Sequence, residues 1–117
     1  MAQIEIPAPW RQAVCKILQT GKAGREIIWT ADASRRYEAD FIGAWSYEAH
    51  DDFRRHLSRP MVHGCPITMA KPIGTTYEFM SDLKKRHSYG KILLTPDQKT
   101  LYIFSAHLPL KPKLSCE

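Results

Sequence analysis

Five side chains able to exchange protons or hold phosphate crowd into the last third of the chain: Glu78, Arg86, His87, Lys91 and His107. A carboxylate and an imidazole form a base and acid pair, and neighbouring cations stabilise charge that develops during a reaction. On one surface, Glu78 or a neutral imidazole would take the proton of a ribose 2′-hydroxyl. Lys91 and Arg86 would hold the phosphoryl oxygens, and protonated His107 would give its proton to the departing 5′-oxygen. Tyr89 and Tyr102 offer rings for base stacking, and Lys84, Lys85 and His87 further contacts to RNA. The plainer reading has His107 closing a strand by hydrogen bonding, Lys91 snorkelling and Glu78 pairing with a neighbour.

Those residues must be positioned by strands. Thr75–Met80, Ser88–Leu94 and Thr100–His107 read as three strands, two of them dominated by β-branched and aromatic residues, and Thr95-Pro96-Asp97-Gln98-Lys99 is a turn between the last two. This predicts an antiparallel meander over 75–108. Alternation puts Tyr89, Lys91 and Leu93 on one face of the second strand, and Leu101, Ile103, Ser105 and His107 on one face of the third. Whether Lys91 and His107 share a face depends on register, which alternation leaves open.

Upstream, residues 8–60 read as mainly helical. Pro7-Ala8-Pro9 precedes a helix carrying Trp10, Val14, Ile17 and Leu18 at helical spacing, with Gly21 as its stop. Glu26–Thr30 is a brief strand by composition. Asp32 is expected to cap a second helix with Tyr37 and Phe41 on one face, and Gly43 to break it. Ala44–Tyr47 is read as extended, Asp51-Asp52 as the opening of a helix with Phe53, His56 and Leu57 that stops at Pro60. Met61–Gly74 is a connector with a short edge strand at Pro66–Met69, and residues 109–117 are a basic extended tail. Trp10, Trp29 and Trp45 are expected as core anchors. The expectation is one α+β domain over 1–117, with N-terminal helices packed on a C-terminal antiparallel sheet of three to five strands.

The 117 residues carry a net charge of +5. Residues 1–60 hold nine Lys/Arg against eight Asp/Glu, and residues 61–117 hold eight against four. A basic half that coincides with the meander favours an anionic partner such as RNA. No apolar run approaches the length of a membrane span, and the first residues lack the pattern of a secretion signal, so a cytoplasmic protein is expected. Cys15, Cys65 and Cys116 are odd in number and far apart, which suits neither a disulfide framework nor a zinc knuckle. Cys15 is read as a small core residue and Cys116 as an exposed thiol. His50, His56 and His63 are six and seven apart, a poor spacing for a metal pair on a helix. No cofactor motif is present, neither a phosphate-binding Gly-rich loop nor a nucleophile elbow.

The run Tyr77-Glu78-Phe79, Arg86–Leu94 and Leu101–His107 resembles the sheet of RelE-like toxins, within a broad superfamily that includes barnase-like ribonucleases. The order Glu78, Arg86, His107 is similar to the Glu, Arg, His order of the barnase-like branch. The resemblance implies a metal-independent endoribonuclease toxin, with Glu78 as base, Arg86 as phosphate ligand and His107 as acid. It also implies a neutralising antitoxin partner. Two other readings stand beside it. One is a non-catalytic nucleic-acid-binding module, or a small phage- or plasmid-type inhibitor of a host protein. The other is an adaptor whose Arg54, Arg55 and Arg59 dock an acidic partner.

Overall fold

The computed structural model describes residues 2–117. The expected class holds: three helices pack on one face of a sheet, which is six-stranded and mixed. The strands are β1 (Ile4–Glu5), β2 (Ile27–Trp29), β3 (His63–Ile67), β4 (Thr75–Leu83), β5 (Arg86–Leu94) and β6 (Leu101–His107), and the helices are α1 (Ala8–Thr20), α2 (Ala31–Asp40) and α3 (Ser46–Leu57). Strand order is β1-β3-β4-β5-β6-β2. All pairings are antiparallel except that of β2 with β6, which is parallel. Among the described residues no helix is long and apolar enough to cross a membrane.

Local chemistry explains the helices. Pro9 sits in the first turn of α1, where its missing N–H costs nothing, and Trp10, Val14, Ile17 and Leu18 form the buried stripe. Thr30, rather than Asp32, caps α2 by accepting from the Ala33 N–H at 3.1 Å. Gly43, at φ +83°, turns the chain out of α2 through the left-handed region. Of the segment expected to be extended after it, Ala44 and Trp45 lie outside any helix, but Ser46 and Tyr47 already belong to α3. α3 begins at Ser46, five residues before the two aspartates, because the Glu48 carboxylate accepts from the Trp45 N–H at 2.7 Å and fixes the first turn there. Trp45 itself is 68% exposed, so it anchors no core.

The core lies between the helices and alternate strand positions. Trp10 meets Tyr77 edge-on at 4.9 Å, and Phe53 meets Phe79 at 5.6 Å. Gly90 lies under that second pair, where a Cβ would come within 2.8 Å of the Phe53 ring and 2.9 Å of the Phe79 ring. The absence of a side chain there lets β5 approach α3.

Three expectations are corrected: the connector strand, the C-terminal tail and the state of Cys116. The connector strand is His63–Ile67 and lies inside the sheet, because residues 4–5 add a further strand outside it. Residues 109–117 are no extended tail: they turn back over the helix-free face, and Leu114 is buried. Cys116 is bonded to Cys65 across a Cα–Cα distance of 5.7 Å, so two of the three cysteines form a disulfide. An odd cysteine count concealed the pair. In the chain-entropy account, closing a loop of 51 residues stabilises the fold by about 4 kcal/mol. Cys15 is the free thiol, half-buried against the core, and burial pushes its pKa up.

His50 is buried on α3 and accepts from the Trp29 indole N–H at 2.8 Å, which places its proton on Nδ1. Burial lowers its pKa from 6.5 to about 4. The unfolded chain therefore binds this proton first as pH falls. The stability that neutral His50 contributes is whole above pH 6.5 and is lost on descent through pH 4, about 3 kcal/mol in all. Urea unfolding at pH 7 and pH 4.5 should show the parent losing about 2 kcal/mol more than a His50→Gln variant. Equal losses would refute the assignment.

Candidate functional site on the helix-free face of the sheet

The register answers the question alternation left open. Glu78 on β4 lies opposite Lys91 on β5, Lys91 lies opposite Ser105 on β6, and Tyr89 lies opposite His107. Directly opposed residues share a face, so Glu78, Lys91, Tyr89 and His107 stand on one side of the sheet. It is the side away from the helices, whose core residues come from the intervening positions Tyr77, Phe79, Ile92 and Ala106.

His107 reaches that side through a bulge. Lys91 pairs with Ser105 but Ile92 pairs with Ile103, which leaves Phe104 as an extra residue on β6. Simple alternation put Leu101, Ile103, Ser105 and His107 together. The bulge separates them: Leu101 and Ile103 join the core, while Ser105 and His107 turn to the open face. Phe104 in turn stacks with Tyr102 at 6.2 Å, giving an aromatic pair beside the cluster.

Glu78 is only 3% exposed. One carboxylate oxygen accepts from the Tyr89 hydroxyl, and the other from both the hydroxyl and the N–H of Ser115. Burial, and then the bond to the Glu78 carboxylate, push the Tyr89 pKa up, so its phenol remains a donor at neutral pH. The His107 ring lies 5.3 Å from the Tyr89 ring. Its Nδ1 is 2.7 Å from the Leu108 carbonyl, a group that only accepts. Nδ1 therefore carries a proton in either charge state, and Nε2 is the nitrogen left free of the Leu108 carbonyl, on a residue that is 6% exposed.

Other expected residues lie elsewhere. Arg86 is on the helix side, where Nη1 donates to the Asp40 carbonyl at 3.2 Å and the guanidinium sits 5.5 Å from the Phe41 ring. The sheet separates it from Glu78. Lys84 and Lys85 form the β4–β5 turn, both at positive φ. Lys84 donates from its N–H to Asp52 at 2.9 Å and from Nζ to Glu48 at 2.7 Å, which lowers the Glu48 pKa and raises that of Lys84. Its charge is thus neutralised in a cleft against α3. Lys85 and His87 are exposed near that turn, and Tyr102 is half-buried on the open face.

The arginines of α3 are paired within their own helix, Arg54 with Asp51 and Arg55 with Asp52, and Arg59 is exposed beyond the helix end. His56 stacks on Phe79, and burial lowers its pKa, with Arg59 adding to the effect. His63 is exposed on β3. Among the described residues no three His, Cys, Asp or Glu side chains gather as a metal site. The residues sequence reasoning missed are Ser115, Phe104 and the Cys65–Cys116 pair. Ser115 and the pair act through a tail whose return to the sheet has no local signature. Comparison with protein families, curated proteins and solved structures finds no match to this chain.

Proposed function

We propose that the helix-free face cleaves RNA by general acid–base transesterification, with Glu78 as base, Lys91 as the cation at the phosphate and His107 as acid. The observation that carries this reading is the register that brings these three residues and Tyr89 to one face. Glu78 would take the proton from a ribose 2′-hydroxyl, whose oxygen then attacks phosphorus. Lys91 offsets the charge that grows on the phosphoryl oxygens, and His107 Nε2–H protonates the departing 5′-oxygen. Tyr102 and Phe104 offer stacking surface to a base. Arg86 has no part in this version, since it faces the helices.

The test uses the reduced protein, EDTA and an end-labelled RNA. The expected products end in a 2′,3′-cyclic phosphate, and a 2′-O-methyl group at the cleaved position blocks the reaction. His107→Ala should lower the rate by about 10²–10⁴-fold and leave RNA affinity intact. No cleavage by the parent, or full activity in the variant, would overturn the reading.

A second reading, RNA binding without chemistry, is favoured by one observation: both oxygens of Glu78 are already satisfied by Tyr89 and Ser115. It expects salt-dependent affinity, no products and indifference to His107→Ala.

A further inference from the structure

We infer that residues 108–117 form a strap over this site, latched by the Cys65–Cys116 disulfide and opened by a dithiol reductant. The inference deepens the proposed function and takes from it what the strap covers.

The latch is placed by the sheet. Cys65 on β3 is the residue directly opposite Glu78 on β4. Cys116 follows Ser115, whose N–H and hydroxyl both donate to one Glu78 oxygen. Bonding Cys116 to Cys65 therefore holds Ser115 against the carboxylate that would act as base. Near the other end, the Leu108 N–H donates to Asp40 at 2.9 Å and fixes the start of the strap beside His107.

Between these anchors the strap is weakly held. Leu110–Lys113 is exposed, and Pro109 and Pro112 have no N–H with which to join a sheet. Apart from Leu114, which is buried, the terminal contacts are polar: the Glu117 carboxylate accepts from the Leu114 N–H and from Gln3, both at 3.0 Å. Such hydrogen bonds exchange with water at small net gain, so closure depends on the covalent bond. Opening is a two-electron reduction. The dithiol gives two electrons and two protons and becomes a disulfide, and Cys65 and Cys116 become thiols. Release of Ser115 frees one Glu78 oxygen while Tyr89 continues to hold the other.

The experiment reads the strap without RNA. The oxidised protein, the dithiothreitol-reduced protein and Cys116→Ser are compared by hydrogen exchange at the Ser115 amide. Glu78 is probed in each with a carbodiimide and a small amine, followed by mass spectrometry. Reduction should raise both exchange and labelling about tenfold or more, and Cys116→Ser should match the reduced protein with or without dithiothreitol. The Trp10 and Trp29 indole signals report the fold, because both N–H groups are hydrogen-bonded within it. Equal protection of Ser115 and Glu78 in all three forms would overturn the latch. So would loss of the indole signals on reduction, since opening would then be unfolding. RNA cleavage is measured in parallel. Opening without cleavage in any form supports the strap and overturns the ribonuclease reading alone, whereas equal cleavage by oxidised and reduced protein overturns the strap alone.

Discussion

On the proposed mechanism, Glu78→Gln is expected to cut RNA about 10²–10⁴-fold more slowly than the parent, both measured reduced, because the variant would lack the base for the 2′-hydroxyl. The substitution keeps the shape of the side chain. Its amide oxygen can still accept from Ser115 or Tyr89, so the folding cost should be about 1–2 kcal/mol, that of weakened charge-assisted bonds. A large rate effect with a small stability effect separates a reacting carboxylate from a structural one. Arg86→Ala should show the opposite. It removes the bond to the Asp40 carbonyl and the contact with Phe41, so it should lower stability while the cleavage rate stays within a few-fold. Rate measurements on the two variants with one RNA, beside urea midpoints, decide the matter. If Arg86→Ala abolishes cleavage and Glu78→Gln does not, the catalytic face has been misplaced.

The contrast between those residues also shows how far the sequence carried. Composition and alternation were enough for the meander, because β-branched and aromatic residues with one polar face specify strands locally. They also placed Lys91 and Tyr89 on one face. They failed at His107, where one extra residue, Phe104, reverses the side to which every later residue points. A bulge is set by how two strands pair, and β6 alone carries no mark of it. Arg86 failed for a related reason: its place in the strand fixes its face, and that face belongs to the helices. The strap was illegible because a disulfide spanning 51 residues and a serine donating to a distant carboxylate depend on tertiary placement. Local preference at residues 109–117 says only that prolines keep them out of the sheet.

The largest effect on stability should come from Arg11, which no helical pattern singles out as more than a polar position. Arg11 is buried in α1, and its guanidinium donates to four carbonyls. Nε reaches Ile6 at 3.0 Å, Nη1 reaches Leu57 at 3.0 Å and Arg59 at 2.7 Å, and Nη2 reaches Pro60 at 3.4 Å. Leu57 is the last residue of α3, where carbonyls lack partners along the helix and a cation is favoured by the helix dipole. The same carbonyl set joins α1 to the chain leaving β1 and to the turn that enters β3. Arg11→Met fills similar volume but returns none of these bonds, and the Ile6 and Leu57 carbonyls would stay buried and unpaired. The expected loss is about 3–5 kcal/mol, a large part of the stability of a domain this size. It should lower Tm by about 10–20 °C. Arg11→Lys, with a single compact ammonium, should recover part of the loss, because it can satisfy some carbonyls without the planar fork. A fall in Tm of only a few degrees for Arg11→Met would mean that water replaces the guanidinium at the end of α3, and that this junction is wetter than its burial indicates.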